Sequence, residues 1–489
     1  MKNSIKTTIL SFILLVCIVG VSCSSCNADV IDSTKSSSST ITGTYSSSVD
    51  GWITDDEARA TVTPSADQMP ATYDAADFVY EPSEYTQVEI DLSDLGNSYA
   101  NGDITVEAKA KKTTITLGNS AKYNIVLSGA SEVSITVDKS SGATSNTENG
   151  DFYGMNAALL ATNGANVTIS SATVTSSAQN GNGVFSYGNG TVVTISDSTI
   201  VTTKDNSGGI QTTGGGTTYA TNLEVETSGN SSAAIRSDCG GGTVVVNDGS
   251  YTSNGYNSPA IYSTAGIAVS NATLVANNSE ALVIEGKNSI ALVDCVVFGN
   301  MSDTKGTSSD ENVHNVMIYQ SMSGDAAVGT SSFSMEGGSL TSNNGDMFYI
   351  TNTACTITLS NATLVSNDED SYLFNITGNS ASHGWGSAGS NGAQATVACS
   401  NQILEGDIRV DSISTLALVL KEGSSFTGTI NVVPNTEGGT AVSNNAIITV
   451  EAGCIWTLTG DCTIASLDCN GVLNLNGYTI TLADGTVLS

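Results

Sequence analysis

The sequence predicts an all-β fold, a parallel β-helix solenoid, and three observations lead there. Nine segments between Leu159 and Phe374 share one pattern: an apolar residue, a variable residue, then usually a small polar one. A second strand-like run recurs with nearly the same spacing. Between the runs stand Gly, Asn, Asp and Ser, which suit tight and left-handed turns and interrupt every stretch long enough for a helix.

The first positions of the nine segments are Leu159, Val184, Ile210, Ile235, Ile261, Leu282, Ile318, Phe348 and Leu373. By subtraction the steps are 25, 26, 25, 26, 21, 36, 30 and 25 residues, a repeat of about 25. A unit this short cannot bury an apolar face without a neighbour above and below it, so the repeats must stack. Side chains alternate between the faces of a strand. With the apolar column inward, the residues Leu160, Phe185, Gln211, Arg236, Tyr262, Val283, Tyr319, Tyr349 and Phe374 are expected to point outward. The next inward column reads Ala161, Ser186, Thr212, Ser237, Ser263, Ile284, Gln320, Ile350 and Asn375, whose small polar members can hydrogen-bond inside the coil.

The second run is clearest in VTISSATV from Val167, VTISDSTI from Val193, IAVSNATL from Ile267 and ITLSNATL from Ile357. Its closing apolar positions are Val174, Ile200, Val225, Tyr251, Leu274, Val297, Leu340 and Leu364. Two columns of one period on different faces imply a coil wound from several short strands. Val, Ile and Thr richness opposes a helical repeat, and no L-x-x-L-x-L motif recurs. The long steps around Ile318 mark insertions near 300–314 and 322–333, and loops projecting from a regular scaffold are a common seat of binding specificity.

The chain of 489 residues carries 47 acidic and 15 basic residues, a formal net charge of -32. With only Arg59, Arg236 and Arg409 as arginines, nucleic acid and anionic membrane surfaces are excluded as partners, since neutralising phosphates takes clustered Lys and Arg. Most of the acidity reads as solvation. Asp368-Glu369-Asp370 and Asp310-Glu311 are the densest carboxylate runs, and they leave calcium as the one candidate cation, although neither has the spacing of a known calcium loop. With His314 and His383 isolated and no CxxC pair after residue 26, no metal ligand set is assigned.

Lys2 and Lys6 precede an apolar run from Ile9 to Val21, too short for a spanning helix and read as a secretory signal over 1–22. Residues 23–83 are Ser/Thr-rich, contain three of the five prolines and read as a flexible stalk. The β-helix is placed at 84–489, with shorter terminal coils from about 403 to 489. Export permits disulfides, but seven cysteines follow Cys26, so burial as small apolar residues is the default.

Gly20-Val21-Ser22-Cys23 resembles a bacterial lipoprotein cleavage box, which implies lipid attachment at Cys23 and a cell-envelope location, exposed at the surface. The stretch from Gln87 onward resembles the right-handed parallel β-helix, or pectin-lyase-like, superfamily. Within it the chain is similar to bacterial adhesin-like and autotransporter-passenger-like surface proteins, through VSNAT from Val269, the A-I-x-S elements at Ala234 and Ala260, and the run WTLTGDCTIASLDCNGVLNLNGYTITL from Trp456. The resemblance implies either a non-enzymatic adhesin or carbohydrate-binding protein, or a polysaccharide lyase.

A lyase needs a strong base beside a uronate and cations to stabilise the developing charge. Arg236, Asp238, Glu285 and Lys287 form the one such grouping on a predicted face. The G-H-G and R-x-K elements of polygalacturonases are missing. An enzyme is therefore disfavoured, and if there is one it is a lyase. The better candidate is the outward aromatic column Phe185, Tyr262, Tyr319, Tyr349 and Phe374, with Tyr187 nearby: flat rings beside polar groups suit sugars. The alternatives are that these rings stabilise the sheet, or that the stalk or an insertion covers them. A polysaccharide or a host or cell-surface glycan is thus the expected partner, with membrane contact only through the lipid. A purely structural spacer is the remaining reading.

Overall fold

The computed structural model describes residues 152–489 apart from 155–156, 162–165, 171, 305–311 and 322, together with the backbone of eight earlier strands. The predicted signal peptide, Cys23 and Asp310-Glu311 lie outside the described residues. Of the stalk, only the strands Thr40–Thr42 and Tyr45–Ser46 are described; they pair antiparallel with Val472–Asn474 and with Cys469 and Asp468.

All the described elements are strands. Most lie in a 22-stranded sheet, a 14-stranded sheet and a 5-stranded sheet, with parallel pairing predominating. This all-β arrangement of long parallel sheets is compatible with a β-helix. No helix among the described residues is long and apolar enough to cross a membrane.

The 14-stranded sheet carries the first column of the sequence pattern. Leu159, Val184, Ile210, Ile235, Ile261 and Leu282 pair in register in that order. The series then continues through Val316, Phe348, Phe374, Ile408 and Ile430. Ile318 and Leu373 are therefore not its members. Ile318 belongs to the next inward column, between Ile284 and Ile350, and Ile376 follows it in place of Asn375. Both corrections have the same cause. His314–Tyr319 and Tyr372–Ile376 each offer consecutive apolar residues, so alternation alone leaves their phase open, and packing against the neighbouring strand decides it.

The second column stands in full. Val174, Ile200, Val225, Tyr251, Leu274, Val297, Leu340 and Leu364 are successive register partners in the 22-stranded sheet. Both columns join one continuous core. Phe348 stacks on Phe374 at 4.8 Å and meets Phe333 of the larger sheet edge-on at 5.6 Å.

Turn chemistry follows the composition. Asn180, Asn206, Ser231 and Asn257 adopt positive φ at successive repeats of one bend, and Asp197, Asn222, Asp248, Asn271 and Asp294 do so at another. Short polar side chains tolerate this conformation best after glycine. Buried serines tie the first bend together: Gly181 N–H donates to Ser207 Oγ, Ser207 N–H to Ser232 Oγ, and Ser232 N–H to Ser258 Oγ, each at 2.9 Å. The inward polar column is satisfied in the same way, with Ser263 Oγ donating to the carbonyls of Ala265 and Ser289. None of the seven described cysteines is disulfide-bonded, and all are buried.

Candidate functional site

The outward face of the 14-stranded sheet is where the aromatic column was expected to meet solvent. Its middle is covered instead. Phe185 and Tyr187 are buried with Leu160 and Cys239, beneath Phe152 and Tyr153. Tyr319 and Tyr349 are buried with Val283, Met317 and Trp385. Phe374 faces the core. Tyr262 is only partly buried and packs against the second group. Two further assignments change with the register: Met317 takes the place given to Tyr319 in the first outward column, and Tyr319 lies two residues on, in register with Glu285.

The covering pieces come from two loops. Loop 378–393 brings Trp385 against the Tyr319 ring at 4.7 Å, and the exposed His383 stacks on Trp385 at 4.2 Å. Asn391 fixes this loop by donating to the carbonyls of Asn379 and Trp385 at 3.0 and 2.9 Å. The predicted insertion 322–333 is corrected at its end, since 330–333 belong to the strand Thr330–Glu336; the described residues of loop 320–329 fold back over Glu285 rather than projecting, with Ser321 and Ser323 donating to its carboxylate. The lengthened steps near Ile318 marked this loop in the sequence but not the direction in which it folds, and nothing in the period singled out Trp385.

Beneath loop 320–329 lies a polar cluster. Glu285 is fully buried and accepts hydrogen bonds from the hydroxyls of Tyr262, Ser321 and Tyr319, the last at 3.1 Å. Burial, and then the Asp325 carboxylate, push the Glu285 carboxyl above its ordinary range against the pull of these hydroxyls. Burial, and then Glu285, hold both phenols well above theirs. Arg236 pairs with Asp238 at 2.7 Å and donates to the Ser231 carbonyl at 3.3 Å. Cys239 Sγ lies 2.9 Å from Asp325 Oδ1, and Asp238, Cys239 and Asp325 offer ligand atoms within 4.8 Å of one another. Two oxygens and a sulfur could meet a cation there, but the guanidinium already balances Asp238. Of the predicted lyase grouping, Arg236 and Asp238 are joined, Glu285 is held by hydroxyls, and Lys287 is exposed at the turn beyond.

An open polar surface is found on the other side, at the second bend of the 22-stranded sheet. A groove of about 430 Å³ is lined by Asp197, Ser198, Thr199, Asn222, Leu223, Glu224, Gly249 and Ser250. It crosses three neighbouring strands, in which Thr199, Glu224 and Ser250 are register partners. Asn222 donates to Asp197 Oδ1 at 2.8 Å between two of the exposed lining residues. Tyr219, three residues before Asn222, is 46% exposed between Thr194 and Val245. In comparisons with known proteins, the chain matches no family model and no curated protein.

Proposed function

We propose that this chain is an exported, lipid-anchored bacterial cell-surface protein of the right-handed, pectin-lyase-like β-helix type, with coils of about 25 residues, and that it binds carbohydrate without turning it over. The groove carries this reading. Its carboxylate, hydroxyl and amide groups recur from strand to strand at a spacing of about 4.8 Å, comparable to one sugar ring, and an exposed tyrosine stands on the same sheet. Sugars present hydroxyl edges to such groups and C–H faces to such rings. The acidity of Asp197 and Glu224 favours neutral glycans over uronates.

Catalysis by the grouping at Arg236 is disfavoured on chemistry. A lyase base must be able to take a proton from a uronate, whereas Arg236 is engaged by Asp238 and a carbonyl. The anchor reading rests on Gly20-Val21-Ser22-Cys23. The test is a panel of neutral and acidic glycans applied to the purified mature protein. Retention without products is expected, with Tyr219→Ala and Asn222→Ala each weakening it about tenfold, the size of one lost polar or stacking contact. Retention unchanged in both variants removes the groove, and appearance of ultraviolet-absorbing unsaturated product overturns the non-catalytic reading.

A further inference from the structure

Two carboxylates are joined through hydroxyls under the loop that covers Glu285. Glu285 ends the strand Leu282–Glu285 and is fully buried, while Asp325 comes from the loop and is half-buried. Ser321 Oγ contacts Glu285 Oε1 and lies 2.7 Å from Ser323 Oγ, which in turn lies 2.8 Å from Asp325 Oδ2. The segment 323–329 is also held to the coil from outside this relay. The Lys287 backbone N–H donates to the Ala327 carbonyl at 2.7 Å, and Gln320 Nε2 donates to the Ala326 carbonyl at 3.3 Å.

The relay is one proton short. Its three oxygen–oxygen contacts need three protons, and two serine hydroxyls supply two. When both serines donate to the carboxylates, the contact between the serines sets lone pair against lone pair. The third proton therefore sits on a carboxyl, either on Asp325 donating to Ser323 or on Glu285 donating to Ser321. The neighbouring donors are directed elsewhere. Tyr262 and Tyr319 donate to Glu285 Oε2, and Cys239 Sγ meets Asp325 Oδ1. The Ser323 and Asp325 backbone N–H groups donate to Ser321 Oγ and Ser323 Oγ at 3.0 and 3.2 Å. The charged groups on the surrounding elements do not replace the proton either. Arg236 is engaged by Asp238 and the Ser231 carbonyl, Lys287 is exposed at the turn after Glu285, and His383 is exposed against Trp385. Burial, and then the Asp325 carboxylate, raise the Glu285 carboxyl, in agreement with a proton kept by the pair.

We propose that Glu285 and Asp325 share one retained proton that locks segment 323–329 over the sheet, and that its loss at rising pH releases the segment and uncovers the phenols of Tyr262 and Tyr319. Below the transition every contact of the relay holds a hydrogen. Above it two negative charges face each other beneath the loop, and one buried contact has no proton, which costs free energy that lifting the segment relieves. The lock is thus closed in acid and opens toward alkali. This proposal is independent of the groove.

The test is native-state hydrogen exchange of the mature protein from pH 4 to pH 9, with protection corrected for the intrinsic pH dependence of amide exchange. The Lys287 amide reports the lock, because its acceptor, the Ala327 carbonyl, leaves with the segment. The Gly286 amide, which donates to the Tyr319 carbonyl at 2.8 Å, reports the sheet beneath. One proton separates the closed segment from the open one. Lys287 protection should therefore fall about tenfold for each pH unit above the ordinary glutamate value of about 4.3, and level off once the shared proton is lost. Gly286 protection should hold. Glu285→Gln and Asp325→Asn each put an amide N–H where the proton was, so both should remove the slope and keep Lys287 protected. Absence of the fall in the wild-type protein overturns the proposal. So does an equal fall at Gly286, or an unchanged slope in Asp325→Asn, the loop variant that keeps the question decidable if Glu285→Gln fails to fold.

Discussion

Replacing Tyr349 by alanine separates an aromatic binding face from an aromatic packing layer. If Tyr349 were a platform for sugars, its loss would leave stability within about 0.5 kcal/mol, as for other surface substitutions. In the structure the residue is 2% exposed, enclosed by Val283, Met317, Tyr319 and Trp385, with the His314 ring at 5.2 Å. Truncating a buried aromatic costs about 3–5 kcal/mol through lost transfer energy and the cavity left behind. Stacked strands depend on their immediate neighbours, so the effect should be local. Native-state hydrogen exchange is the suitable assay: the amides of Asp346–Thr351 and of the paired His314–Tyr319 should exchange about 10²- to 4 × 10³-fold faster, each factor of ten being about 1.4 kcal/mol. Tyr219→Ala serves as the contrast, changing exchange little and glycan retention more. Protection of Asp346–Thr351 unchanged in Tyr349→Ala would refute the packing assignment.

Further outcomes follow from the same structure. The Glu285 carboxyl titrates higher in the folded than in the unfolded chain, so its contribution is present below the unfolded value of about 4.3 and is lost as pH rises through the folded value. Glu285→Gln should therefore gain stability relative to wild type on going from pH 4 to pH 8 in thermal unfolding, and a relative loss over that range would contradict the assignment. Gly338 has φ +69° and a Cβ there would fall 2.0 Å from the Cys295 carbonyl oxygen. Gly338→Ala should thus cost more than the about 1–2 kcal/mol of left-handed strain alone, read as a lowered denaturation midpoint. Burial pushes the Cys355 and Cys399 thiols up to about 12, so a thiol reagent at pH 8 should leave both unmodified until the protein is unfolded, with peptide mapping as the check.

Much of the coil was legible because it rests on local alternation. A strand sends alternate side chains to opposite faces, so Leu159 through Leu282 and Val174 through Leu364 could be assigned to the interior, with Asn and Asp at the bends between them. The reading failed first at His314–Tyr319 and Tyr372–Ile376, where adjacent apolar residues make both phases equally good in sequence. It failed again on the outward face. Phe185, Tyr319 and Tyr349 alternate correctly with core residues, yet alternation says only that a side chain leaves the core, not what waits outside.

By itself the sequence determined the all-β strand pattern, the second apolar column and the first as far as Leu282, the acidic character and the turn chemistry, all set by residues within one repeat. Tertiary structure alone decided that Trp385 and loop 320–329 close over the aromatic stripe, that Tyr262, Tyr319 and Ser321 converge on Glu285, and that His314 is set beside Asp346. Those contacts join residues from different repeats through insertions without periodicity, and their positions follow from chain path and packing rather than from any local pattern.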